Sequence, residues 1–147
     1  MHEVKTEIEI EASPTRVWQV LMDFPAHAQW NPFVRSISGT PAPGAKLDVR
    51  IQPEGGRAMR FKPRVLVADT RKEFRWRGQF LVPGLFDGEH YFQLQPLGPA
   101  RTRLVHGELF SGLLVGMARS GLDGGTRAGF IAMNQALKSR AEAGAEA

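Results

Sequence analysis

Between residues 34 and 110 the chain offers one period-two segment after another and no long stretch of helical period, which commits its middle to an antiparallel strand meander. The segments fall at 34–38, 47–51, 59–68, 73–80, 88–95 and 102–110. Turn-forming runs such as Thr40-Pro41-Ala42-Pro43-Gly44 and Leu97-Gly98-Pro99-Ala100 separate them. A further strand opens the chain over residues 4–11, where Val4, Thr6, Ile8 and Ile10 share one face and Lys5, Glu7, Glu9 and Glu11 the other. Ser13 then supplies a helix N-cap and Pro14 a first helical position. Val17, Trp18, Val20, Leu21 and Phe24 follow at helical spacing, which predicts a short helix over 14–23 that ends at Pro25. A second short helix is expected over 26–32, stopping where Asn31 precedes Pro32.

After the last strand the period changes. Leu113, Leu114 and Met117, then Phe130, Met133, Ala136 and Leu137, recur at helical spacing. Gly121, Gly124 and Gly125 interrupt that pattern, and each costs a helix about 1 kcal/mol relative to alanine, so a break or kink is expected there. Thr126 is then the expected cap of a final helix reaching residue 141, and the glycine-rich segment is consistent with a mobile gate. The whole reads as α+β: a curved seven-stranded antiparallel sheet, two short helices between its first and second strands, and a long C-terminal helix covering its apolar face. With 147 residues, 42% hydrophobic and 23% charged, one domain over 1–147 is expected, with no linker or repeat inside it.

Several classes drop out. The sequence contains no cysteine, so disulfides and thiolate metal sites are excluded. No apolar run approaches the roughly 18 residues of a membrane span, so no integral membrane association is expected. The N-terminal Met1-His2-Glu3-Val4-Lys5 lacks the basic-then-apolar order of a signal peptide, and a cytoplasmic location is the expectation. A formal charge of +4 gathers at Arg50, Arg60, Lys62, Arg64, Arg75 and Arg77, all on outward strand positions. No aromatic residue interleaves with them as base stacking would want, so a solvated face is expected rather than a nucleic-acid partner. Phosphate-cradling loops, nucleophile elbows and His-Glu-x-x-His are missing from the sequence, and no cofactor is expected.

Several local motifs carry a resemblance to a known superfamily. They are EIEIEASPTRVWQVL at the start, Trp30-Asn31-Pro32-Phe33, Trp76-Arg77-Gly78, Leu85-Phe86-Asp87-Gly88-Glu89-His90, Thr102 to His106 with Gly107-Glu108, and Ala132-Met133-Asn134-Gln135-Ala136-Leu137-Lys138. With these the chain resembles, over its whole length, the START-like or SRPBCC superfamily, and within it the bacterial polyketide cyclase/dehydrase-like branch. The resemblance implies the helix-grip fold, with a deep hydrophobic cavity between sheet and C-terminal helix. It implies no single reaction, because cyclases, oxygenase domains and transfer proteins share the fold.

Strand alternation nominates the cavity wall. On the 73–80 strand, Phe74, Trp76, Gly78 and Phe80 share the inner face. The next strands place His90 and Phe92, then His106, Glu108 and Phe110, inward. A hairpin turn near Gly98-Pro99 brings His90 opposite or near Glu108 and Phe92 near His106. Such a cluster can anchor a ligand carbonyl or hydroxyl, act as an acid–base group, or pin the hairpin as a satisfied buried hydrogen bond. A metal centre is set aside for want of a recognisable ligand spacing. Trp30 and Phe33 are placed at the cavity mouth. Phe86, Leu114 and Met117 are placed at its remaining wall or lid, with Phe130 and Met133 of the last helix above. The expected partner is a small hydrophobic molecule, held by a carrier, sensor or sequestering protein. A cyclase or dehydratase using His90, His106 and Glu108, and an interaction module using the basic face, are the alternatives, and oligomeric state stays open.

Overall fold

The computed structural model describes residues 1–79 and 82–145. Strand β1 (His2–Ile10) opens the chain, followed by helix α1 (Pro14–Met22), a 3-10 turn (Phe24–Ala26) and the one-turn helix α2 (His27–Trp30). The meander comprises β2 (Val34–Ser38), β3 (Asp48–Ile51), β4 (Met59–Phe61), β5 (Arg64–Asp69), β6 (Glu73–Gln79), β7 (Asp87–Gly98) and β8 (Arg101–Ser111). Helix α3 (Val115–Gly121), a π-helical turn (Leu122–Thr126) and α4 (Arg127–Ala145) complete it. At the first helix the Ser13 side chain accepts from the Arg16 N–H at 3.1 Å, with Pro14 beginning the helix.

The strands form two antiparallel sheets, not one of seven strands. Five run in the order β1-β8-β7-β6-β5 and three in the order β2-β3-β4. The expected single strand over 59–68 changes sheets at Lys62-Pro63: β4 stays with β3, while β5 pairs with β6. Pro63 has no N–H to donate, so a continuous ladder cannot pass through it. Its carbonyl instead accepts from the Leu47 N–H at 2.8 Å, and the Val65 N–H donates to Ala45 at 2.8 Å. With the Lys46–Arg64 bridge, these bonds join the two sheets at a corner.

The glycines after α3 do not break the helical path. Residues 122–126 form a π turn whose flanking residues keep right-handed helical backbone angles, and Thr126 lies inside it instead of capping α4. The reason is a docking contact. The Glu54 N–H donates to the Gly125 carbonyl at 3.3 Å, and a Cβ on Gly125 would lie 2.6 Å from the Glu54 carbonyl oxygen. The loop after β3 therefore sits directly on the turn.

Helix α4 buries Phe130, Met133, Leu137 and Ala141, one face of a helix, against the five-stranded sheet and α1. Phe33, just before β2, meets Phe130 edge-on at 5.1 Å. Gly129 makes that approach possible, because a Cβ there would lie 2.4 Å from Phe33 Cδ1. Replacing Gly129 by alanine gains about 1 kcal/mol of helix propensity, yet overpacking a buried, boxed-in ring costs about 1–3 kcal/mol. Gly129→Ala is expected to lower the urea midpoint, and a raised midpoint would show that Phe33 yields.

Candidate functional site

Two inward glycines open the interior. Gly78 of β6 and Gly88 of β7 face each other across the ladder, so the sheet floor carries no side chain at that point. Above it lies an apolar cavity of about 400 Å³. Trp76 and Phe110 flank the floor, Phe33 closes one end, and Val49, Ile51 and Phe61 of the three-stranded sheet form the facing wall. Leu114, Met117, Ala118 and Leu122 roof it, so the roof is α3 and the π turn rather than α4. Phe86 comes from the loop before β7, and Pro53, Met59, Pro63, Gln79 and Thr126 complete the lining. Met117 and its neighbour Leu113 are among the most exposed large apolar side chains, at 84% and 85%.

Seven of the nominated residues therefore line the cavity: Phe33, Trp76, Phe86, Glu108, Phe110, Leu114 and Met117. Phe80 lies outside the described residues. His90, Phe92, His106, Phe130 and Met133 do not line it, because α4 seals that part of the sheet and they form solid core beneath it. The His106 ring is sandwiched between Phe92 at 4.5 Å and Phe130 at 4.3 Å. Trp30 is also displaced from the mouth, packing on the His27 ring at 4.8 Å. Asn31, placed beside it, is a buried brace: its side-chain oxygen accepts from the Phe33 and Val34 N–H groups, both at 2.9 Å. Sequence reasoning missed the wall from β3 and β4 and the pairing of Gly78 with Gly88. The glycine pair had a readable signal, two inward glycines on adjacent strands, once the register was known.

The histidines belong to one buried hydrogen-bond chain. The register sets His90 opposite Glu108, Phe92 opposite His106 and Thr6 opposite His106. The Thr6 hydroxyl donates to the His106 carbonyl at 2.8 Å, which leaves its oxygen to accept from the Asn134 amide at 2.9 Å. Asn134 Oδ1 must then accept from His106 Nδ1, at 2.8 Å. Burial holds the basicity of His106 well below that of an ordinary histidine, and the neighbouring His90 adds to this against the Asn134 hydrogen bond. A neutral His106 protonated at Nδ1 can only accept at Nε2, so His90 donates from its own Nε2 across 2.8 Å. The last link joins His90 Nδ1 to Glu108 Oε1 at 3.1 Å. Both histidines are fully buried, and Glu108 alone of the chain reaches the cavity.

The sequence matches, over residues 1–143, the family described as polyketide cyclase / dehydrase and lipid transport. The chain belongs to this family. Among solved structures, the Zhui aromatase/cyclase from Streptomyces sp. R1128 is similar at TM-score 0.78 and 20% identity, over 96% of this chain and 93% of that one. A START superfamily protein from Mycobacterium smegmatis aligns at TM-score 0.72 and 23% identity, over 97% and 99%. A Thalictrum norcoclaurine synthase mutant in complex with a transition-state analogue aligns at TM-score 0.71 and 16% identity, over 95% and 93%. These likenesses establish the helix-grip architecture. No curated protein matches the sequence significantly.

In this polyketide cyclase/dehydrase-family chain the basic outer face is partly neutralised. Arg75 pairs with Glu73 at 3.0 Å and Glu89 at 2.6 Å, Arg77 with Asp87 at 3.0 Å, and Arg60 with Asp48. An aromatic does lie among them: the Tyr91 ring sits 4.8 Å below the Arg75 guanidinium. Among the described residues no helix is long and apolar enough to cross a membrane.

His27 is a second buried histidine held neutral, its basicity lowered by burial against an opposing hydrogen bond to the Leu21 carbonyl. Both His27 and His106 protonate more readily unfolded than folded. Their contribution to stability is thus complete above about pH 6.5 and is lost as the pH falls below it. Each can remove up to about 1.4 kcal/mol per pH unit, so unfolding free energy is expected to drop by roughly 1–2 kcal/mol between pH 6.5 and 5.5. Urea titrations at the two pH values test this, and equal stabilities would contradict it.

Proposed function

We propose that this protein binds a small, uncharged hydrophobic molecule in the cavity beneath α3, with Glu108 as its polar anchor. The observation that carries this reading is a glycine-floored apolar space holding one carboxyl group. Wells of a few hundred Å³ with few polar groups suit compact ligands of drug-like size. Among the described residues no lysine or arginine lines the space, so an anionic head group would meet the Glu108 carboxyl with no cation to offset it. Family membership supports a ligand-binding or cyclase role. A carrier, sensor or sequestering protein accounts for the site without assigning it a reaction.

Gly78→Val fills the floor of the cavity. A Cβ at Gly78 meets only the Pro63 Cβ at 3.6 Å, an ordinary contact, so the fold is expected to persist. Calorimetric titration with naphthalene-sized aromatics is expected to give at least roughly tenfold weaker binding in this variant, with the melting temperature little changed. Undiminished affinity would place the ligand elsewhere.

The second reading is a cyclase or dehydratase, and the hydrogen bond between His90 and Glu108 is what favours it. In that reading Glu108 is the one member of the proposed acid–base set to touch substrate, while His90 and His106 act from behind it. Glu108→Gln separates the two readings. An enzyme loses turnover of its carbonyl substrate by roughly 100-fold or more while still binding it, and a binder shows no turnover to lose.

A further inference from the structure

We infer that the cavity selects ligands that donate a hydrogen bond, a hydroxyl or N–H, over ligands that only accept one, and that Thr6 and Asn134 impose this choice from outside the cavity. The inference rests on the cavity being a ligand site and specifies the ligand's polar group.

The choice follows from the direction of the buried chain. A backbone carbonyl can only accept, so the Thr6 hydroxyl must donate to His106, and each later link inherits that direction. His90 Nε2 is committed to donating to His106. A hydrogen bond on the remaining link requires one proton, on His90 Nδ1 or on Glu108 Oε1. In either state Glu108 Oε2 carries no proton. Among the described residues Oε2 has no hydrogen-bond partner, and it lies over Gly88, where a Cβ would approach to 2.1 Å. The oxygen offered to the cavity is an acceptor in both states. A phenol, enol or alcohol satisfies it, whereas a ketone or ether oxygen leaves it unpaired and a carboxylate opposes it.

Thr6 and Asn134 touch no ligand; they are positioning residues. Removing the acceptor on His106 Nδ1 releases that ring to its other tautomer, which donates from Nε2. His90 then accepts at Nε2 and donates from Nδ1 to Oε1, so two protons serve the two links, and the third proton of the unaltered chain, retained, moves to Glu108 Oε2 and presents a donor to the cavity. Asn134→Leu is therefore expected to shift the preference toward acceptors.

The test is calorimetric titration with naphthol, methoxynaphthalene and naphthoate, alongside nitrogen-15 spectra of the histidine rings. For the unaltered protein, naphthol is expected to bind roughly tenfold or more tightly than methoxynaphthalene, with naphthoate weakest. The ring spectra are expected to report His106 protonated at Nδ1, a measurement that needs no variant. In Asn134→Leu the naphthol preference is expected to fall to within about threefold. Thr6→Ser, which retains the hydroxyl, is expected to keep it. Equal binding of naphthol and methoxynaphthalene, or a His106 protonated at Nε2, overturns the inference while leaving the binding function intact. Failure of all three probes to bind overturns both.

Discussion

Two histidines with no exposure sit between aromatic rings because every ring nitrogen has a partner, and that requirement ties four separated parts of the chain together. Thr6 comes from β1, His90 from β7, His106 and Glu108 from β8, and Asn134 from α4. An unsatisfied buried polar group costs about 1–3 kcal/mol, so displacing any one of these elements leaves more than one such penalty. The chain thereby sets the register of the last helix on the sheet as well as the electrostatics of Glu108. It also explains why the aromatic cluster is core: a chain of this kind holds only where water cannot compete.

The cavity arises where that packing stops. Helix α4 covers the region of Phe92, His106 and Phe130 and leaves the Gly78–Gly88 floor to α3 and the π turn. The three-stranded sheet folds over from the Pro63 corner and supplies the opposite wall. Docking of Glu54 on Gly125 fixes that wall to the helical roof. Space, wall and roof therefore depend on one proline and a few glycines, residues chosen for what they lack. Glu108 stands at the boundary between the two regions, with Oε1 in the buried chain and Oε2 over Gly88 of the cavity floor.

Much of this was legible beforehand, and the divisions are physical. Period-two alternation is a local property, so the strands, their inner faces and the pairing of His90 with Glu108 followed from the residues themselves. Ser13-Pro14 likewise announced α1. Alternation continues across Lys62-Pro63 and so predicts one strand, although proline cannot donate to a ladder. The glycines at 121–125 predict a break or kink because intrinsic propensity opposes a helix there, and the outcome is a π turn in a continuous helical path. The close approach of Glu54, which rewards glycine, is a contact with a distant part of the chain.

The candidate site divides in the same way. Sequence by itself determined that His90, Phe92, His106 and Glu108 share an inward face, since neighbouring residues on a pleated strand cannot choose their sides independently. Only the tertiary structure decided that α4 seals the first three and leaves Glu108 open. It also decided that β3 and β4 wall the cavity. Inward means toward whatever packs above, and what packs above is settled by contacts between residues far apart in the chain, which no local period encodes.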